Sequence, residues 1–446
     1  MKRILSAVFL IWMFVCMTAC TRNQAIDLTD STSSVESVNA IPEKVELKVF
    51  YSQDNPAAAD IVKSYQKDNK DVTLVATAFT DIAKMDKAVG SFSDEEEMPD
   101  VILFSKSTCV NTMNMAEMGD FLDLMPLLVQ NPEYDESNYF PVMDCGQLND
   151  KQYLIPLRFS CLYFLTSDEK MEENDLKLEE DYVTSDLMNE MSDAVLDCQA
   201  DQSVMQILNS QTAGGLLYDN LRLSGVMQDG LNNISEETFR EYASYTQMCY
   251  EQFINSQVLL KAYSRDFTSA FSRVMTFMSN TSLPVNMRYY DSLMRKGLDQ
   301  NLNLIPYPNH DEPRSITADI SLYAAVMQST EHAQQAVDFV YYAMNMPSKD
   351  VAQDLPVSRQ AVEQLLNDLC QIEGLVIDIG SARISVDRMS AELREECEVI
   401  LNRIHSGSIR NYNHEMILEQ TMAPFITGDS AFDECYSAFL NQVTLS

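Results

Sequence analysis

The sequence predicts an α/β protein of two or three core-bearing units, with mainly parallel open sheets flanked by helices. Three observations carry that prediction. A strand–helix–strand series starts near residue 45, a similar alternation returns after residue 268, and 446 residues are too many for one hydrophobic core.

The early series opens with "KVELKVFY" (44–51), whose strict alternation puts Val45, Leu47 and Val49 on one face of a strand. In "NPAAADIVKSYQKDNK" (55–70), Asn55 is placed as an N-cap and Pro56 at the first helical position, with Ile61, Val62 and Tyr65 apolar. "DVTLVATAF" (71–79) reads as the second strand and 81–92 as a second helix. "MPDVILFS" (98–105) is then a strand buried on both faces, because its four central residues are all apolar. A βαβαβ series of this kind forms parallel strands with right-handed crossovers. Ligands of such sheets sit beyond the carboxyl ends of the strands. That places Tyr51 and Asp54 past the first strand, and Ser105 and Lys106 past the third, on one edge of a candidate cleft.

Further on, "NMAEMGDFLDLMPLL" (114–128) suggests a helix stopped by Gly119, and 144–169 a long strand or two strands joined by a bend. The stretch 187–257 has helical periodicity, with turns expected at Gly214-Gly215 and Gly225. The alternation returns in "SAFSRVMTFMSN" (269–280), "NLNLIPYPN" (301–309) and "ISLYAAVM" (320–327). A patterned helix follows in 329–346, with Ser329 or Thr330 as its expected cap. The last hundred residues read as helical, and there is no internal repeat.

The N-terminus carries a different signal. Lys2 and Arg3 precede the apolar run "ILSAVFLIWMFVC", too short to span a bilayer and of signal-peptide length. The run ends in "MTAC" (17–20), which resembles a bacterial lipobox with Met17 in place of the usual leucine. The resemblance implies a signal peptide over 1–19, acylation of Cys20 and attachment to the extracytoplasmic face of the cell membrane. Residues 20–44 are rich in Ser, Thr, Asn and Asp and read as a flexible tether. The remaining cysteines are scattered without CxxC or ligand-like spacing, so buried free thiols are expected and no metal site is.

A formal charge of −36 argues against nucleic acid as a partner, since phosphate binding needs a cationic surface. Enzymatic readings lack their motifs. There is no G-x-S-x-G elbow and no P-loop. The four histidines form no H-E-x-x-H pair. No catalytic residue and no cofactor is therefore assigned.

Several stretches, in order, resemble extracellular solute-binding protein family 1, the substrate-binding lipoproteins of bacterial ABC importers. They are "MPDVILFS", "GDFLDLMPLL", "LNDKQYLIPLRFSCLYFLTSDE", "RVMTFMSN", "LIPYPN", "SLYAAVMQSTEHAQQAVDFVYYAMNMPS" and "DLPVSRQAVEQL". The resemblance implies a periplasmic-binding-protein-like fold of two lobes joined by a multi-segment hinge. The first lobe would hold 45–157 and 312–355, the second 158–311 and 356–446, with crossings at "LIPLRFS", "YPNHDEPRS" and "DLPVS". It further implies a monomer that captures a small solute, a sugar or oligosaccharide, and hands it to ABC permease subunits. The competing reading is a surface lipoprotein of the same fold that serves as a sensor partner or structural module without transport. Strand ends and crossings give Tyr51, Asp54, Ser105, Lys106, Arg158, Ser160, Asn280 and Tyr323 as candidate ligand contacts. If Lys106 and Arg158 both faced the cleft, an anionic group on the solute would be favoured. The only tryptophan is Trp12, so sugar stacking after cleavage would fall to tyrosine or phenylalanine.

Overall fold

The computed structural model describes residues 44–91, 98–173, 177, 181–190, 204–207, 212–227, 230–262, 274–279, 283–348, 354–379 and 382–444. The calls on the signal peptide, Cys20, the tether and Asn280 lie outside these residues. The chain begins with β1 (Val45–Ser52), α1 (Pro56–Asp68), β2 (Val72–Phe79), α2 (Ile82–Val89) and β3 (Val101–Ser105). Next come α3 (Thr112–Met118), α4 (Met125–Leu128) and a two-residue ribbon of β4 (Gln147–Leu148) and β5 (Lys151–Gln152). β6 (Ile155–Ser160), β7 (Tyr163–Ser167), α5 (Asp168–Glu173), β8 (Val204–Ile207), α6 (Ala213–Leu223) and α7 (Glu236–Ala262) follow. Then come β9 (Val274–Ser279), α8 (Leu283–Leu293), β10 (Leu302–Pro306), β11 (Ile316–Val326) and α9 (Ala333–Asn345). The chain closes with β12 (Leu355–Pro356), α10 (Arg359–Leu369), the hairpin β13 (Leu375–Ile379) and β14 (Ala382–Val386), α11 (Ala391–Asn402), β15 (Ile404–Ser408), α12 (Tyr412–Ile426) and α13 (Phe432–Val443).

Local chemistry explains the early elements. Asn55 Oδ1 accepts the Ala58 N–H at 3.2 Å and Pro56 sits at the start of α1, where its missing donor costs nothing. Asp81 Oδ1 caps α2 by accepting the Lys84 N–H at 2.9 Å. Gly119 ends α3 with φ +83°, a conformation that a β-carbon would strain.

The first sheet runs β12-β6-β11-β3-β1-β2, with β15 pairing to β11. β1 pairs in parallel with β2 and β3, and β15 with β11; β11 lies antiparallel to β3 and β6, and β12 antiparallel to β6. β3 is thus central, between β1 and β11, and all five of its residues are buried. The second sheet runs β10-β7-β9-β8. Here β10–β7 and β7–β9 are antiparallel and only β8–β9 is parallel, so this sheet is mixed where a mainly parallel one was expected. The chain passes from the first sheet to the second through Cys161 and Leu162, and returns through 307–315.

Two buried clusters follow the two sheets. One joins β1, β3, β6 and β11 to α1, α9, α10 and α11 and continues to Met287 of α8. The other packs α6, α7, α12 and α13 around Leu162, Phe164, Ile305 and Tyr307.

Four local expectations need correction. The expected long strand over 144–169 is a ribbon and then two strands, one in each sheet. Gly214 and Gly215 are not a turn but the first turn of α6, where close helix contact requires a residue without a side chain. Neither Ser329 nor Thr330 caps α9: its N-cap is His332, and the Thr330 hydroxyl instead donates to Asp100 Oδ1 at 2.5 Å and accepts the His332 N–H at 3.1 Å. The final hundred residues contain four strands beside their helices.

Among the described residues Cys109, Cys145, Cys161, Cys249, Cys370, Cys397 and Cys435 are free thiols; Cys198 lies outside them. In the same set, no helix is long and apolar enough to cross a membrane, and no three His, Cys, Asp or Glu side chains are placed to hold a metal.

Candidate functional site

At the carboxyl end of β3 the backbone turns sharply. The Thr108 N–H donates to Ser105 O at 3.0 Å and the Ser107 N–H to Ser105 Oγ at 3.4 Å. Asp86 of α2 fastens the turn, accepting the Thr108 hydroxyl at 2.5 Å and the Cys109 N–H at 2.7 Å. Lys106 remains part-exposed, with its Nζ 3.7 Å from Asp319 Oδ2.

Asp319 is the centre of the site. It lies on β11, 1% exposed, where an unpaired carboxylate would cost several kcal/mol. Its second oxygen meets Arg222 of α6 at 2.8 Å. The same guanidinium reaches Asp219 Oδ1 at 3.0 Å and donates to Ser408 O of β15 at 3.1 Å, and it lies 5.6 Å from the Tyr218 ring centroid. Burial alone would raise Asp319, but the charges of Arg222 and Lys106 outweigh it and hold the carboxyl below its ordinary value. Asp219 moves the opposite way, because burial and the nearby Asp319 charge exceed the help it draws from Arg222. Arg222 therefore belongs first to Asp319. Arg410 adds a second tie: it pairs with Glu415 and donates to Lys106 O at 3.1 Å.

Above this network opens a cavity of about 460 Å³. Met113 of α3 and Pro141, Asp144 and Cys145 of the segment before β4 line it beside the first sheet, and Thr317 and Ser406–Ile409 from β11, β15 and the residue after it. Tyr218 and Arg222 of α6, Met227, and Asn411 and His414 at the start of α12 complete the wall from the second core. The Asn411 N–H donates to the Tyr218 hydroxyl at 2.5 Å, which fixes the aromatic face. Burial pushes the Tyr218 phenol up to about 12, so it is a neutral hydroxyl at physiological pH. Burial lowers His414, which is therefore mostly uncharged there too. A space of this size, edged by amides and hydroxyls over the buried side chains of Tyr218 and Arg222, suits a small polar solute.

The residues anticipated from sequence are placed as follows. Lys106 joins the network under the cavity, and Ser105 shapes the turn beside it. Asp54 is exposed, and its Oδ2 accepts the Ile82 N–H at 3.1 Å, which secures the start of α2. Tyr51 is packed in the first core. Tyr323 is 1% exposed, stacked on Phe104 with centroids 5.5 Å apart, and its hydroxyl is 3.4 Å from Thr112 Oγ1. Ser160 is fully buried on β6. Arg158 turns away from the cavity: it is 1% exposed and donates to Leu157 O at 2.7 Å, Ala343 O at 3.2 Å and Met346 O at 2.8 Å. Its task is at the carboxyl end of α9, where Pro347 has no N–H to offer the Ala343 carbonyl. With Arg158 so placed and Lys106 neutralised by Asp319, the condition for an anionic solute is not met.

Asp219, Arg222, Asp319, Arg410 and the aromatic Tyr218 were missed from the sequence. One signal was available for Asp319, a lone carboxylate within the otherwise apolar "ITADISLYAAV", which needs a buried cation. Its partner, Arg222, lies far away in sequence and could not be named.

No family model and no curated protein sequence matches the chain. Solved structures do. The sugar-binding protein MalE from Xanthomonas citri is 14% identical and superimposes with a TM-score of 0.63, over 90% of this chain and 96% of its own. An ABC substrate-binding protein from Listeria monocytogenes in complex with cycloalternan is 12% identical, with a TM-score of 0.56 over 90% of this chain and 99% of its own. An extracellular solute-binding protein family 1 structure from Alicyclobacillus acidocaldarius is also 12% identical, with a TM-score of 0.55 over 89% and 96%. These neighbours are solute-binding proteins of the family 1 type, and the likeness is one of fold: two lobes, mixed α/β, periplasmic-binding-protein-like.

Proposed function

We propose that the chain is a lipid-anchored, extracytoplasmic solute-binding protein that captures a sugar or oligosaccharide between two lobes and delivers it to an ABC importer. The lobes follow the boundaries read from sequence, 45–157 with 312–355 and 158–311 with 356–446, except that α10, α11 and β15 of the last segment pack with the first sheet. Their hinge runs through the passages between the two sheets. Cys20 carries the anchor, and the partners are the solute and the permease subunits.

The observation that carries this reading is the cavity of about 460 Å³ walled from both cores at the carboxyl end of the first sheet. Its hydroxyls and amides are groups that bind polyols, and its position lets closure add contacts from the second wall. Neighbours of the same fold bind sugars by their own descriptions, which supports the assignment by analogy. A scaffold without transport would favour a cleft without convergent polar groups, and Arg222, Asn411 and Thr317 converge here.

The test is a thermal-shift and calorimetric screen of neutral mono- and oligosaccharides against protein lacking residues 1–20. A ligand at 100 times its Kd should stabilise the native state by about 2.7 kcal/mol. A complete saccharide panel that leaves the melting temperature unmoved would sink the proposal. Loss of membrane fractionation in Cys20→Ala tests the anchor separately.

A further inference from the structure

We propose that Asp319 is the specificity-determining residue that makes this cleft exclude anionic solutes, by keeping Arg222 and Lys106 electrically spent. The inference rests on the solute-binding reading above and goes beyond it, because it assigns the charge class of the ligand to one side chain.

Arg222 is the only arginine or lysine side chain among the residues lining the described cavity. Left to itself, a part-dehydrated guanidinium there would recruit carboxylate or phosphate through paired hydrogen bonds. It is not left to itself. Asp319 Oδ1 takes one of its nitrogens at 2.8 Å and Asp219 takes the other at 3.0 Å. Lys106, the next cation, lies 3.7 Å from the second oxygen of the same Asp319. Arg410, the third, is bound to Glu415. Asp144 adds a further carboxylate to the cavity wall and Asp354 another near Lys106, so five acidic groups face three cations. An incoming anion would have to break Asp319 from both partners and strand its charge in the sheet, 1% exposed. An uncharged polyol makes no such demand. It can meet the amide and hydroxyl groups of the cavity wall without disturbing any ion pair.

The Asp219 contact is within one helix, at i and i+3, and would persist in any variant of β11. Asp319 is therefore the group whose charge decides the sign of the site. It alone is shared by Arg222 and Lys106, across elements from both cores.

The experiment compares the wild-type protein with Asp319→Asn, Asp319→Glu and the double variant Asp319→Asn/Arg222→Gln. The probes are matched pairs that differ by one carboxylate (glucose with glucuronate, galactose with galacturonate), neutral oligosaccharides, and inorganic phosphate as an anion independent of sugar chemistry. In the wild type, neutral sugars should bind at least tenfold better than their uronates, and phosphate should not raise the melting temperature. D319N should gain roughly ten- to hundredfold in uronate and phosphate affinity, the worth of one charge-assisted hydrogen bond. D319E, which keeps the charge, should discriminate as the wild type does, and the double variant should lose the gained anion affinity. Equal wild-type affinity for a sugar and its uronate would overturn the proposal, as would a folded D319N that gains nothing for phosphate. Should D319N not fold, the wild-type ratio and D319E still decide. If no sugar binds the wild type while D319N acquires phosphate binding, the charge assignment holds and the sugar reading fails.

Discussion

Replacing Gly214 by alanine sets two physical effects of opposite sign against each other. Gly214 is the second residue of α6, in the turn capped by Thr212. By helix propensity alone alanine should stabilise it by about 1 kcal/mol. The structure predicts the reverse. A β-carbon at this position would stand 2.3 Å from Cα and 2.4 Å from N of Glu419 on α12, where ordinary contact begins near 3.4 Å. Both clashing atoms are backbone, so the helices must part by about 1 Å, at an overpacking cost of about 1–3 kcal/mol or more. Separation also strains the hydrogen bond from the Gly214 N–H to Glu419 Oε2, now 2.7 Å and worth about 1 kcal/mol or more with a charged acceptor. The balance is a loss of about 2–3 kcal/mol. Urea unfolding followed by far-UV circular dichroism reads it directly, and the thermal midpoint should fall by about 2–4 °C. The same displacement pulls Tyr218 from the Asn411 N–H, so solute affinity should weaken with stability. Gly428→Ala is the control: its added β-carbon meets open space, and only the φ of +82° is strained, at about 1 kcal/mol. A G214A protein as stable as wild type would refute the claim that close approach of α6 and α12 shapes the site.

Two further substitutions test other parts of the structure. Arg158→Lys keeps the charge but cannot span the Ala343 and Met346 carbonyls with one planar fork, so it should cost about 1–3 kcal/mol in urea unfolding and leave solute affinity intact; loss of binding without loss of stability would return Arg158 to the cleft. Glu396 is raised to about 7 by burial and then by Asp291 and Asp168, so the folded chain holds its proton between about pH 4.5 and 7 while the unfolded chain releases it. Stability contributed by this group falls as pH rises through that window and stays low above it. Glu396→Gln should therefore gain up to about 3 kcal/mol at pH 8 and almost nothing at pH 4, and a pH-independent difference in melting temperature would contradict the assignment.

Elements whose chemistry is local were readable from the sequence. Asn55, Asp81 and Gly119 mark helix ends through bonds or dihedral angles within a few residues of themselves. The buried character of β3 likewise follows from its uninterrupted apolar run. What could not be read depends on which face of an element meets which neighbour. Arg158 sits on β6, yet the face it occupies leads to α9 and not to the cavity, a matter of sheet packing that its own sequence neighbours do not record. Asp319 and Arg222 are separated by almost one hundred residues and paired by the return of β11 into the first sheet. β8 has only four residues, and its pairing to β9 comes from a partner seventy positions on.

That return of β11 also constrains the order of assembly. β3 and β6 do not touch each other as neighbours in the sheet; each pairs with β11, which the ribosome makes more than 150 residues after β6. Until residue 326 is available, two strands that are fully buried in the native sheet stand with open hydrogen-bonding edges, and the first sheet has no centre. A topology with such long loop closures collapses slowly. Under the export reading proposed above, slowness is an asset: the nascent protein stays threadable because its middle strand arrives late.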